Sequence, residues 1–357
     1  MTRDLEVSRV RSEGITRRDL LHRAIVLALG SLGGFGLAGR LATAGRQTVA
    51  AAQTLFDRIM LPPEITPTGD FYVVSKNPPG FDPVVDAGRW RLEIAGLVGR
   101  PITLTYDEIK ALPSVQRPHT LECISNEVGG DLISNATWRG ARLQDVINKA
   151  NGVAPKAIQV AFRCADGYTE SLPVAEALNP DTLLVYEMNG APLTTKHGFP
   201  VRLLVPGHFG MKNPKWITKI EGVDYNFMGY WERSGWSQQA IVKTTSRITT
   251  PSSGHMMYKV GDDVGLGGVA YAGDRGIKAV EISADDGKTW QSAQIKPPLG
   301  KYTWVLWAAL WKPTAPGEYT LRVRAQDGTG TLQAREEVAT LPDGASGYHW
   351  IRIRVSK

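Results

Sequence analysis

Thr249-Thr250-Pro251-Ser252-Ser253-Gly254 is the stretch on which the reading of the fold turns. Its hydroxyl, Pro and Gly residues mark a connection rather than an element, and the chain changes character across it. Downstream, Tyr319, Leu321 and Val323 alternate with Thr320, Arg322 and Arg324, and Ile351, Ile353 and Val355 alternate with Arg352 and Arg354. Successive strand side chains point to opposite faces, so this is the pattern of half-buried strands. Val280-Glu281-Ile282-Ser283 and Trp290 flank Asp285-Asp286-Gly287-Lys288, whose Asp-Gly pair suits a tight hairpin. Regular short strands separated by turn residues predict an immunoglobulin-like β-sandwich over residues 249–357, without the cysteine pair of antibody domains.

Upstream the pattern is mixed. Trp90-Arg91-Leu92-Glu93-Ile94 alternates as a strand does, and Ile158–Phe162 and Leu183–Tyr186 read as buried strands. Thr105-Tyr106-Asp107-Glu108 is a capping box, opening a short helix that stops by Pro113. Leu143, Val146 and Ile147 mark one face of a second helix ending at Asn151-Gly152. These elements predict an α+β domain over residues 53–248. No GxGxxG follows a strand, which argues against a Rossmann nucleotide site.

The first 52 residues read as an address. Thr16-Arg17-Arg18-Asp19-Leu20-Leu21 is a twin-arginine export pattern. An uncharged apolar stretch, 24–39, follows, then small-residue cleavage sites at Ala42-Thr43-Ala44 and Ala50-Ala51-Ala52. A signal peptide over 1–52 is expected, with an uncleaved membrane anchor through 24–39 as the rival reading. The twin-arginine route carries folded proteins, so a periplasmic or otherwise extracytoplasmic protein with a cofactor inserted before export is expected.

Of 357 residues, 42% are hydrophobic and 21% charged, ordinary values for a globular chain. The net charge of +6 is scattered, with no basic run or aromatic-interleaved patch, so no nucleic-acid partner is expected. Two cysteines, Cys123 and Cys164, cannot make a disulfide scaffold, and neither belongs to a CxxC zinc pair or a CxxCH haem site. A single disulfide between them stays open at this point. Cys164 closes the apolar run Val160–Cys164 and reads as core.

Four segments, in order, carry a resemblance. They are His119-Thr120-Leu121-Glu122-Cys123-Ile124-Ser125-Asn126, Trp138-Arg139-Gly140-Ala141-Arg142-Leu143, Tyr186-Glu187-Met188-Asn189-Gly190, and His197-Gly198-Phe199-Pro200-Val201-Arg202 through Val205-Pro206-Gly207 to Lys215-Trp216. The chain resembles the sulfite oxidases and the related assimilatory nitrate reductases over nearly all of residues 60–357. The resemblance implies a sulfite oxidase-type mixed α/β molybdopterin-binding domain followed by an immunoglobulin-like sandwich of the dimerisation type. It implies a molybdenum–molybdopterin cofactor with Cys123 as the metal ligand, a soft thiolate suited to a sulfur-rich metal. It places Lys76 and Asn77, at the end of the loop 71–77, beside the cofactor, together with Asp166, His197, Arg202, Asn213, Pro214 and Lys215. Arg202 offers a planar fork to the pterin phosphate, and Gly207 and Gly210 allow close approach. Cys123, Lys76 and Trp236 are the catalytic candidates.

The match departs from sulfite oxidases around the substrate. Arginines of that family correspond here to Lys76, Val128 and Asp343, and its tyrosine to Trp236. Each missing charge-assisted hydrogen bond weakens anion binding by on the order of 1.5–3 kcal/mol. His208, Lys212 and Lys76 are the cations left to compensate. The expected activity is oxygen-atom transfer on a small oxyanion or oxide. No haem or flavin motif is visible, so electrons pass to or from a separate redox partner such as a cytochrome. Reduction of an S- or N-oxide is the first alternative. The second is a non-catalytic exported binding protein displaying Trp304, Trp307 and Trp311, residues whose other reading is sandwich core. A homodimer through the sandwich is expected.

Overall fold

Leu92 and Ile94 are buried while Arg91 and Glu93 are exposed, so the alternation seen there becomes a strand, β1 (Arg91–Gly96). The computed structural model describes residues 55–252 and 257–357. The signal expected over 1–52 lies outside the described residues, as do Ser253 and Gly254. β1 pairs with β2 (Ile102–Thr105), which runs into helix α1 (Tyr106–Lys110). At its start the Glu108 N–H donates to Thr105 Oγ1 at 3.2 Å and the Thr105 N–H donates to the Glu108 carboxylate at 2.8 Å. That is the reciprocal cap expected from the sequence.

The following strands are β3 (Ser114–Glu122), β4 (Ile133–Arg142), β5 (Gln159–Cys164), β6 (Thr169–Pro173), β7 (Leu183–Met188), β8 (Ala191–Pro192), β9 (Arg202–Leu204) and β10 (Ile217–Val223). One sheet runs β2-β1-β10-β5-β6, and the other β3-β4-β7-β8 with β9 on β7. Helix α2 (Leu143–Asn148) buries Leu143, Val146 and Ile147, the face expected from their spacing. With Leu92, Ile94, Phe162, Leu184 and Leu203 they form one apolar core shared by the two sheets. Transfer of that surface from water is the main force holding the sheets together.

Strands β11 (Thr245–Thr250), β12 (Met257–Lys259), β13 (Val264–Tyr271), β14 (Ile277–Ser283), β15 (Gln291–Ser292), β16 (Gln294–Ile295), β17 (Val305–Trp311), β18 (Gly317–Asp327) and β19 (Trp350–Ser356) make the sandwich. Its sheets run β11-β13-β17-β16 and β12-β19-β18-β14-β15. Leu266, Ala270, Val305 and Trp307 of one meet Val280, Ile282, Leu321, Val323 and Ile353 of the other. The Asp-Gly hairpin forms with Asp286 at φ 63° and Gly287 at φ 87°. β11 already lies in the sandwich and includes Thr249 and Thr250, so the stretch that begins there does not join the two halves. The passage between the two halves falls earlier, between Val223 and Thr245.

The three tryptophans are not an exposed surface. Trp307 is fully buried between the sheets, and Trp304 is 5% exposed. Period-two alternation sends Trp304 and Leu306 to the opposite face, where they pack against Ile124, Ile133, Phe209 and Met211. Trp311 is half-buried against Tyr319. Burial of this second face also brings the sandwich onto β3. The Thr120 N–H donates to Tyr302 O at 2.9 Å, Thr120 Oγ1 accepts the Trp304 N–H at 2.9 Å, and Thr120 O accepts the Tyr271 hydroxyl at 3.0 Å.

Candidate active site

β3 ends at Glu122, and the turn after it carries Cys123 into the wall of a cavity of about 250 Å³. The turn is fixed by its backbone. The Cys123 N–H donates to Leu132 O at 2.9 Å, and Cys123 O accepts the Asn126 N–H at 3.0 Å. The thiol is free and the residue 8% exposed. Burial pushes its pKa up, and Ser125, whose hydroxyl lies 3.0 Å from the sulfur, offsets this only in part. Alone, such a group stays protonated; it becomes a thiolate when a metal replaces the proton. Cys164 is also free and buried, packed in the core of the first half, so no disulfide joins the two.

Cationic side chains reach the same cavity from other segments. Residues Thr195–His197 form a single 3-10 turn ended by Gly198 at φ 104°. A Cβ on Gly198 would lie 2.9 Å from the Lys215 Cβ, so glycine lets this turn close on Lys215. His197 Nε2 donates to Thr68 O at 3.1 Å, and burial lowers its pKa to about 4, which keeps the ring neutral at pH 7. Burial, with Arg202 nearby, lowers Lys215 to about 8. Its ammonium donates to Lys196 O at 3.0 Å and lies 4.1 Å over the Trp216 ring.

Arg202 is the informative member. It is 6% exposed and stands 5.2 Å over the Trp138 ring. Its Nη atoms donate to His197 O and Asn213 O at 3.3 and 3.1 Å, while Nε has no partner. Burial lowers its pKa to about 10, still far above neutrality. A buried guanidinium without a carboxylate in ion-pair range is costly. It becomes favourable when an anion supplies the missing charge, and a phosphate matches its fork. Among the described residues no cluster of three or more His, Cys, Asp or Glu forms a protein metal site. Cys123 therefore fits a metal that brings its remaining donors with it. Both observations fit a phosphate-bearing, metal-carrying cofactor.

The remaining site candidates assemble with these, with one exception. Lys76, Asp166, Asn213, Pro214 and Trp236 all line the cavity. Asp166 accepts the Tyr168 N–H at 2.9 Å, so it caps its turn as well as facing the cavity. Asn77 stands behind the wall, accepting from Lys76 Nζ at 3.1 Å and donating to Asp82 at 3.2 Å. Gly210 lies in the wall, where an added Cβ would sit 2.8 Å from the Tyr72 hydroxyl. Gly207 instead faces Asp274. Tyr72, Ser125, Lys196 and Trp231 also line the cavity and are absent from the sequence-based set. Tyr72 belongs to the loop at 71–77, and Trp231 precedes Trp236 by one helical turn and a glycine, signals too general to single them out.

Two of the three compensating cations are not available. Lys212 is fully buried, and its ammonium donates to Glu170 at 2.8 Å and to Glu232. His208 is held by Glu176 at 3.1 Å through Nε2 and by Pro206 O at 2.8 Å through Nδ1. Both have spent their donors on protein acceptors. Val128 meets Gly347 rather than the cavity, and the exposed Asp343 lines a separate hollow with Lys243 and Arg275. Of the three cations, only Lys76 lines the cavity, together with Lys196.

The Lys212 cluster holds two carboxylates on one ammonium. Burial and Glu232 push Glu170 up to about 8, against the pull of Lys212. The unfolded chain releases this proton near pH 4.3. Between there and pH 8 the folded state holds more protons, so this group's stabilising contribution falls as pH rises. Glu170→Gln should flatten the urea-unfolding free energy over pH 5–8, removing a slope of at most about 1.4 kcal/mol per pH unit. An unchanged slope would refute the assignment.

Residues 80–231 match the family described as oxidoreductase molybdopterin binding domain, and residues 237–357 that described as Mo-co oxidoreductase dimerisation domain. The mitochondrial sulfite oxidase of Drosophila melanogaster is 32% identical over 345 residues, covering 81% of this chain. The Bacillus subtilis oxidoreductase YuiH, itself uncharacterized, is 34% identical over 164 residues, 46% of this chain and 80% of its own. The chain belongs to the sulfite oxidase family of molybdopterin oxidoreductases. It spans 59% of the fly sulfite oxidase's length. In fold, this sulfite oxidase family member is similar to the sulfane dehydrogenase SoxCD of Paracoccus pantotrophus. That likeness has a TM-score of 0.71 at 22% identity, over 82% of this chain and 84% of the other.

Proposed function

We propose that this chain is a molybdenum–pterin oxidoreductase transferring oxygen atoms between a small oxyanion or oxide and water. The carrying observation is that a buried thiol and a buried, unpaired guanidinium open on one cavity. Cys123 would ligate molybdenum. Arg202, Lys215 and neutral His197 would hold the pterin and its phosphate, with the backbone of Asn213 and Pro214 alongside. Lys76 would reach from the rim, braced by Asn77 and Asp166. When bound, the cofactor supplies a metal that accepts or gives two electrons while oxygen is exchanged.

The chain's own groups do the rest. Burial raises the Tyr72 phenol well above its ordinary pKa, so it stays a proton donor at its place beside Gly210. Trp231 and Trp236 exclude water from one wall. Lys76 orients an oxygen by its charge. Sulfite oxidation is the reading closest to the family; reduction of an S- or N-oxide is favoured by the aromatic wall. Electrons pass to a separate redox partner, such as a cytochrome. The sandwich supports a homodimer, in keeping with the matched family's description. Thr16–Leu21 would direct export by the twin-arginine route, leaving the protein periplasmic or anchored through 24–39.

Protein purified from a host that makes the cofactor should carry about one molybdenum per chain. Its absence would overturn the proposal. Arg202→Met removes an uncompensated buried charge, so the cofactor-free fold should not lose stability. Pterin content, read by fluorescence after oxidation, should fall about tenfold or more.

A further inference from the structure

The wall next to Cys123 is aromatic, and it is rigid. Trp231 and Trp236 pack on the cluster containing Ile124, the residue after Cys123, and Met211. The turn between them is closed by the Trp236 N–H donating to Trp231 O at 3.2 Å, and by Gly235 at φ 95°. Glu232, in the same turn, accepts the Gly229 N–H at 2.7 Å and is tied to Lys212. A charge that could have met an oxyanion is thus consumed in fixing two indoles. Val73 and Val74, at 42% and 41% exposed, add an apolar lip.

The charge accounting points the same way. Arg202, Lys215 and His197 belong to the cofactor end. Lys196 and Lys76 are the other cations in the lining, and Lys76 already donates to Asn77 Oδ1 and lies 5.4 Å over the Tyr230 ring. A bare oxyanion seated between Trp231 and Trp236 would exchange full hydration for two indoles and the partly engaged ammonium of Lys76, an unfavourable trade. An apolar substituent would gain by the same move.

We infer that the substrate is an oxide whose sulfur or nitrogen carries an apolar, preferably aromatic, group seated on Trp231 and Trp236, with its oxygen towards Lys76. This rests on the oxygen-atom-transfer reading. In the balanced step one sulfoxide, two protons and two electrons give one thioether and one water: the S–O bond breaks, sulfur is reduced, and the oxygen leaves with both protons. Protons come from water, and electrons from a one-electron carrier, a reduced viologen dye in the assay.

The test uses the full-length holoprotein with its molybdenum content measured. Methyl phenyl sulfoxide and dimethyl sulfoxide, each with the reduced viologen as donor, and sulfite, with ferricyanide as the oxidised acceptor, are compared by kcat/KM. The phenyl compound should exceed the dimethyl one by about tenfold or more and exceed sulfite as well. Trp236→Ala should shrink the phenyl-over-methyl ratio about fivefold, whereas general damage would lower both alike. Preference for sulfite, equal turnover of the two sulfoxides, an unmoved ratio, or molybdenum-loaded protein inert to all three would overturn the inference. Protein lacking molybdenum defeats the oxygen-transfer reading instead. Binding then decides: saturable quenching of tryptophan fluorescence by methyl phenyl sulfone, weakened in Trp236→Ala, sustains the subsite. No quenching by the sulfone, or quenching by sulfate alone, rejects it.

Discussion

Cys123→Ser is expected to leave a folded protein with its molybdenum content reduced about tenfold to a hundredfold, and with activity lost in proportion. A serine hydroxyl is a harder donor and holds its proton far more tightly than a thiol, so it is a poor partner for a sulfur-ligated metal. The fold has little reason to object. The sulfur contacts a hydroxyl at 3.0 Å, and the turn around it is held by the backbone of Leu132 and Asn126. Elemental analysis beside a melting curve separates the two effects. Cys164→Ala is the control: its sulfur sits in the core, so stability should drop while metal stays. Retention of molybdenum by Cys123→Ser would remove the thiol from the metal site.

Lys212→Met should be the most damaging single change to the fold. It leaves Glu170 and Glu232 buried, facing one another without their shared cation. Removing one partner of a buried ion pair costs about 3–5 kcal/mol, which in a domain of this size lowers Tm by roughly 10 °C. The cost should shrink as pH falls and the carboxylates take up protons. A triple change, Lys212→Met with Glu170→Gln and Glu232→Gln, should recover much of the loss, because no charge is then stranded. Calorimetry at pH 5 and pH 8 checks both statements. A loss of under about 1 kcal/mol would mean that water reaches the cluster.

Local signals were legible wherever a short segment decides its own structure. The cap at Thr105, the face of α2, the Asp-Gly hairpin and the strands at 319–324 and 351–355 follow from period and turn chemistry alone. The cavity residues were legible through motif order, and all but Asn77 line one cavity. What the sequence could not show was who pairs with whom. Lys212 and His208 read as free cations because Glu170, Glu232 and Glu176 are distant in the chain and nothing local announces them. Trp304 and Trp307 face opposite ways by period-two alternation, but that both faces are covered, one by the sandwich and the other by the cluster with Ile124 and Met211, is a matter of tertiary packing. Thr249–Ser252 marked the end of β11 rather than a passage between the two halves, because turn residues do not say which strands they follow.

The three hydrogen bonds converging on Thr120 have a consequence for how this protein could be shortened or inherited. They run from the sandwich to the strand that ends one residue before the thiol. A gene cut after the first family match would release a chain in which β3, the strand leading to Cys123, has lost these partners. In this chain the two matched regions are therefore coupled through Thr120, although they are separate sequence families. Heat, protease or a stop codon acting on the C-terminal region should be felt at the Cys123 turn, some distance from the damage.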